Sequence, residues 1–127
     1  MDEEKKAKLE ELKKCAQTNI LKHELENKEL FQECLYALKD YSIVGNEAEI
    51  KRIVRLISTT DAEMHSHNEP ILLDEKEKYY IVWDDATLPI ILSFGKKINE
   101  FWEDVMAVAF DTYFVSETSE KVIGIRH

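Results

Sequence analysis

Residues 79–94 read YYIVWDDATLPIILSF, and how this stretch is interpreted decides the class of fold. Tyr79-Tyr80-Ile81-Val82-Trp83 is a run of aromatic and β-branched residues, the types that fit a pleated, half-buried surface. Asp84-Asp85 follows as a turn, and residues 88–94 read as a second strand that Gly95 ends. Pro89 stands near the start of that strand, where an edge position tolerates a residue with no N–H to donate. Beyond Gly95, the residues Ile98, Phe101, Trp102, Val105, Met106 and Ala109 recur at three- and four-residue spacings, which predicts a helix over 97–109. Two short strands, near 112–116 and 121–125, then flank a polar turn at 117–120 and form a second hairpin.

Working back from residue 79, the stretch 61–74 has no helical period, and Asn68-Glu69-Pro70 marks a turn. Before it the chain reads as helical. No glycine or proline precedes Gly45. A thin amphipathic helix is expected over 2–20, with Leu9, Leu12, Cys15 and Ala16 on one narrow face. A second is expected over 27–41, capped by Asn27, with Leu30, Phe31, Cys34, Leu35, Leu38 and Tyr41 along one side. Asn46 caps a third over 47–57, whose buried stripe is Ile50, Ile53, Val54 and Ile57. The order helices, hairpin, helix, hairpin predicts an α+β fold, with N-terminal helices packed on a small antiparallel sheet. At 127 residues the chain is expected to form one domain, with a helical part at 1–60 and a strand-rich part at 61–127.

An apolar fraction of 44% is enough for a real core, while the net charge of −9 is unusual for this size. Such a charge repels nucleic acid and anionic membranes and attracts cationic partners. The excess is unevenly placed. Residues 1–60 carry twelve acids and eleven bases, whereas residues 61–127 carry fourteen acids and six bases, a net of −8. Taken singly, each acid reads as an ordinary solvated residue. Together, Asp84, Asp85, Glu100, Glu103, Asp104 and Asp111 suggest a surface for a basic partner. Trp83 and Trp102 lie beside these acids, but Trp102 shares an apolar stripe and suits the core. The start, MDEEKKAKLEELKK, lacks the apolar segment of a signal peptide, and no later run is long enough to span a bilayer. Cys15 and Cys34 have no CxxC spacing and read as thiols of a reducing compartment. A cytoplasmic protein is the expectation.

Little in the sequence supports catalysis. His65 and His67 form an HxH pair with Asp61, Glu63 and Glu69 nearby, a weak zinc signal without a third ligand at fixed spacing. There is no GxSxG elbow and no phosphate-binding glycine loop. A carboxylate cluster of Asp84, Asp85 and Asp111 could hold magnesium, but a nuclease would also need more basic groups than this half carries. No cofactor is expected.

The runs YYIVWDDATLPIILS (79–93), INEFWEDVMAVAFDTYFVSE (98–117) and KVIGIRH (121–127) resemble the small immunity proteins of bacterial polymorphic toxin systems, including contact-dependent growth inhibition. The resemblance covers about residues 79–127 and adds nothing for the N-terminal helices. It implies a cytosolic protein without enzymatic activity that binds and neutralises a cognate toxin, often by blocking its active site. Many such toxins are nucleases with basic grooves, which an acidic inhibitor can occupy. The partner is therefore expected to be a basic toxin domain, with no direct contact to nucleic acid or membrane. Asp84, Asp85, Glu103, Asp104 and Asp111 are the expected contact residues, with Trp83 or Tyr80 as the apolar anchor. Two other readings stay open. One is an adaptor or homo-oligomer acting through Leu9, Leu12 and the Leu30–Leu38 stripe. The other is a metal-dependent hydrolase using His65 and His67.

Overall fold

The computed structural model describes residues 22–69, 71–85 and 87–126, with side chains from residue 28 onward. The helix expected over 2–20, with Leu9, Leu12 and Cys15, lies outside the described residues, as does Pro70 of the expected turn. The elements are α1 (Lys22–Leu38), β1 (Tyr41–Ile43), α2 (Glu47–Thr59), β2 (Glu63–Ser66), β3 (Lys78–Trp83), β4 (Ile91–Phe94), α3 (Gly95–Glu100), α4 (Trp102–Met106), β5 (Asp111–Ser116) and β6 (Val122–Arg126). The fold is α+β, as the sequence predicts. The two hairpins share one sheet, as expected, but that sheet is larger than they are. They join edge to edge through β3 and β5 into one six-stranded sheet of order β1-β4-β3-β5-β6-β2. All pairings are antiparallel except β2 with β6, which is parallel.

Alternation along β3 sorts the core into two layers. Tyr79, Ile81 and Trp83 face a cluster with Phe114, Ile123 and Ile125 that is covered by α1 (Phe31, Cys34, Leu35, Leu38), α3 (Ile98) and α4 (Val105, Met106). Tyr80 and Val82 face the other side, with Val115 and Val122, under Ile53 and the half-buried Ile50, Leu56 and Ile57 of α2. The sheet is thus a middle layer with helices on both faces. Trp83 holds the larger cluster together. Its Nε1–H donates to the Val105 carbonyl at 2.9 Å, and the Phe31 ring meets its indole edge-on at 5.4 Å.

Several sequence expectations are corrected here. Helix α1 starts before Asn27, so Asn27 is not its cap, and it ends at Leu38 because Lys39 turns into a left-handed conformation with φ 62°. Tyr41 therefore belongs to a strand and not to the helical stripe. The helix expected over 97–109 is two short helices broken at Phe101, where φ is −112° and ψ is 35°. Adjacent residues on a straight helix point about 100° apart. The break lets both Phe101 and Trp102 pack on the core, with Trp102 stacked on Phe114 at 5.5 Å. Gly95 opens α3 as well as ending β4. The strand after Pro89 begins only at Ile91, and residues 84, 85 and 87–90 belong to no helix or strand. By contrast, Asn46 caps α2 as expected, its side-chain oxygen accepting from the Glu49 N–H at 3.0 Å. Strands β1 and β2 have no counterpart in the sequence reading.

Close packing around two glycines yields a contrast. A Cβ at Gly95 would run into the Asp74 carbonyl group, which is backbone, whereas one at Gly124 would meet the end of the Met64 side chain and the Tyr113 ring. Gly95→Ala should destabilise the protein by about 1–3 kcal/mol, the usual effect of overpacking, and Gly124→Ala by less because Met64 can swing aside. Urea unfolding midpoints of the two variants would check this order. A second prediction concerns Thr112, whose buried Oγ1 has no hydrogen-bond partner among the described residues. Thr112→Val removes that unsatisfied group with little change of shape. It should raise stability by about 1 kcal/mol in the same experiment.

Candidate functional site

With helices over both faces, the sheet presents its ends and edges to partners. The register fixes which residues gather at each end. Strand β3 runs from Lys78 to Trp83, and its neighbour β5 runs oppositely, so Asp111 lies beside the end of β3. The Asp84 N–H extends this ladder by one bond, donating to the Asp111 carbonyl at 2.9 Å. Asp111 in turn stands opposite Arg126 at the end of β6. The His67 N–H donates to the Arg126 carbonyl at 2.7 Å, and His67 Nε2 lies 3.6 Å from Glu103 Oε2 on α4. A continuous run of contacts thus joins Asp84, Asp111, Arg126, His67 and Glu103.

The two ends differ in their balance of lysines and acids, and the lysine end also carries Asp74, Glu75, Glu77, Glu117 and Glu120. Lys76 and Lys78 precede or open β3, Lys96 and Lys97 follow β4 directly, and Lys121 precedes β6. The pairings Lys78↔Phe94 and Val115↔Val122 put all five at the end away from Asp84. Among the described residues of 61–127, Arg126 is therefore the one lysine or arginine at the Asp84 end. Asp84, Asp85, Glu103 and Asp111 lie there with it. Coulomb repulsion among exposed carboxylates is softened by water and salt, but their summed field still reaches about a Debye length, ~8–10 Å.

Individual acids differ in how far they are committed to the fold. Asp84 is exposed, and Glu103 is 83% exposed along its side chain. Asp85 is half-buried, and its Oδ1 accepts from both the N–H and the hydroxyl of Thr87, at 2.9 and 2.6 Å. It shapes its own turn. Asp104 is exposed on the flank toward α1, where its charge adds to burial in pushing the Cys34 thiol up to about 12. Burial is the larger cause. Cys34 is a free, buried thiol that stays protonated at neutral pH and so is a poor nucleophile.

Neither aromatic expected as an anchor is at the surface. Trp83 is 4% exposed in the larger core cluster. Tyr80 is 6% exposed on the opposite face, where its hydroxyl donates to Glu49 Oε1 at 2.9 Å. The strand pattern left the face of Trp83 ambiguous, and the α1 cover over it decides the matter. The aromatic residue that does reach solvent at the acidic end is Phe110, 81% exposed. Sequence reasoning missed it because it falls just past the helical stripe that ends at Ala109. The Leu30–Leu38 stripe, offered as a partner groove by the adaptor reading, is internal: Phe31, Cys34, Leu35 and Leu38 are all buried in the core.

The sequence matches the family described as "CdiI immunity protein EcoliA0-like" over residues 57–127, more than half of the chain. The chain belongs to this family. A comparison with curated proteins finds no match. The matched segment begins in the last turn of α2 and contains β2 to β6, hence both hairpins and the whole acidic end. Since residues 57–60 carry no charge, the net −8 of residues 61–127 is also that of the CdiI-matched segment. Membership in an immunity family implies a cognate toxin protein as partner and points to a non-enzymatic role. Among the described residues, no helix is long and apolar enough to cross a membrane.

The two histidines of the HxH pair in this CdiI-family chain have separate partners. His67 sits by Glu103, while His65 on β2 lies between Glu69, at 2.7 Å from Nδ1, and Glu63, at 3.1 Å from Nε2. Among the described residues, no three His, Cys, Asp or Glu side chains are grouped as metal ligands. Hydrogen bonding to Glu69 first, and then to Glu63, raises the His65 pKa above its ordinary value. The stabilisation from protonated His65 is therefore complete below the ordinary histidine value and is lost as pH rises through the raised one. The melting-temperature gap between the wild type and His65→Gln should be widest near about pH 5.5 and should narrow toward about pH 8.5. A gap that widens with pH would contradict this arrangement.

Proposed function

We propose that this chain neutralises a basic, nuclease-type toxin by docking the acidic end of its sheet onto the toxin's substrate-binding surface. A nuclease must hold a polyanion, so its groove carries lysine and arginine. A patch of fixed carboxylates competes for the same groups without being a substrate. The observation that carries this reading is the register-imposed gathering of lysines at one sheet end. Asp84, Asp85, Glu103 and Asp111 lie at the other end with Arg126, whereas the five lysines of the matched segment stand where Glu75, Glu77, Glu117 and Glu120 offset them. Asp104 flanks this surface. The chain acts in the cytoplasm without catalysis, metal or cofactor. Its stabilising chemistry lies in desolvated and rim charge pairs, which set association rate and specificity more than raw affinity.

The test uses the toxin domain encoded beside this chain's gene, in an inactive variant, with association followed by stopped flow. Raising salt should slow association steeply. The double variant Asp84→Lys, Glu103→Lys should lower the association rate about tenfold or more at low salt, while Lys76→Glu at the far end should change it less than about twofold. Substrate nucleic acid should compete with the chain for the toxin. An association rate indifferent to both salt and the two reversals would overturn the assignment of this surface.

A further inference from the structure

We infer that the outer edge of β1 pairs with the same edge of a second copy of this chain, antiparallel about Ser42, joining two sheets in a weak symmetric dimer. This goes beyond the immunity reading and does not depend on it. Strand β1 ends the sheet on one side, and its register with β4 fixes which backbone groups are left over. The Val44 N–H donates to the Ile90 carbonyl at 2.9 Å, and the Gly95 N–H to the Glu77 carbonyl at 2.8 Å. In an antiparallel ladder, bonded pairs alternate with unbonded ones. Both bonds set the same parity: Ser42 and Val44 turn their backbone groups to β4, and Tyr41 and Ile43 turn theirs outward. Among the described residues, none takes these outward groups up. The side chains of Tyr41 and Ile43 share one face and are both exposed, at 37% and 56%. The buried Ile91 stands beside Ile43 on that face, so apolar surface continues from the core to the edge.

The strand is its own complement. With the symmetry axis at Ser42, Tyr41 of each copy faces Ile43 of the other. Every outward N–H then meets an outward carbonyl, and each ring lies against a β-branched side chain, a favourable cross-strand pair. Slipping the register by two residues would leave one kind of exposed side chain unpaired. Charge selects the same occupant. Residues 41–46 are uncharged, and this register sets Asp40 opposite Val44 and Lys39 opposite Gly45, so no like charges meet. At the other edge of the sheet, β2 carries Glu63, ion-paired to Lys121 and His65, and charge of that kind keeps an edge unpaired. Strand β1 has neither charge nor proline. On its second face, Ser42, Leu92 and Phe94 line an open groove, so no helix overhangs the edge there. A strand of three residues makes a small contact, which places the dimer among weak, concentration-dependent associations.

Sedimentation equilibrium on the full chain, from about 10 μM to about 1 mM, should show a reversible monomer–dimer equilibrium. The dimer fraction should grow with salt, because each copy carries a net charge of −9 that opposes approach. Ile43→Lys sets a charge in the edge, and Ile43→Pro removes the outward donor but no bond to β4. Each should weaken the dimer about tenfold or more while keeping the wild-type melting temperature within a few degrees. Cross-linking tests the register. Facing Cα atoms of an unbonded pair lie about 4.5 Å apart, within disulfide reach. In a Cys15→Ser background, Ser42→Cys should therefore cross-link two copies under mild oxidation, and Gly45→Cys, roughly 20 Å from its counterpart, should not. Cys34 is buried, and a Cβ at Gly45 meets nothing within 4 Å, so neither disturbs the comparison. A wild type that stays monomeric throughout this range overturns the proposal. So does a dimer that survives both Ile43 variants, which another surface, residues 1–21 included, must then make. If both variants unfold, the cross-link decides: no product from Ser42→Cys, or equal yields from Ser42→Cys and Gly45→Cys, overturns the edge pairing.

Discussion

Trp83 is held from two directions at once, by the Phe31 ring of α1 and by the Val105 carbonyl of α4. Helices α1 and α4 are also in direct contact with each other. The three-helix layer is therefore organised around the last residue of β3. Burying an indole of this size is worth several kcal/mol, and its single N–H must find an acceptor when desolvated. A β3 buried on both faces then requires hydrogen-bonded neighbours on both edges, which β4 and β5 supply. From this follows the union of the two hairpins into one sheet, because the strand shared between them cannot remain an edge.

The parts of this architecture that could be read from sequence are those whose burial leaves a pattern. The stripes of α1 and α2, the Asn46 cap and the four central strands all show apolar periodicity or punctuation, and all are present except that Val54 is 50% exposed and Tyr41 lies in β1. Strand β1 has three residues, each exposed, and β2 reads Glu-Met-His-Ser with little burial. Edge strands with solvated side chains carry no alternation to detect, and a charged, short edge is how sheets avoid pairing with other molecules. The break at Phe101 was hidden for a different reason. Periodicity records which residues are buried, and both Phe101 and Trp102 pack against the core. It is silent on the backbone turn that lets adjacent residues share one face.

For the candidate site, the sequence disclosed the charge but not its geometry. Along the chain, acids and lysines of residues 61–127 are interleaved, with Lys76 and Lys78 before Asp84 and Lys121 after Asp111. Antiparallel folding reverses every second strand, so the lysines gather at one end beside Glu75, Glu77, Glu117 and Glu120, and the other end keeps its acids with Arg126. The same reversal removed Trp83 and Tyr80 from consideration as anchors. Both occupy the body of β3, which is buried, whereas Asp84 one residue further lies beyond the cover of the helices. A shift from core to surface within one residue is below the resolution of any composition argument.

The separation of roles has a thermodynamic consequence. Buried residues on the faces of β3, β5 and β6 are closely packed, so substitutions there disturb close contacts and cost about 1–5 kcal/mol. The acids at the sheet end contribute little to the fold: Asp84 holds the ladder through its backbone, and Glu103 is exposed with a histidine at 3.6 Å. Exposed ion pairs of that kind are worth about 0–1 kcal/mol. Charges at the strand ends can thus change one at a time without loosening the Trp83 core. Under the proposed function, that freedom would let the charges at the sheet end follow a changing partner while the packed central strands stay fixed.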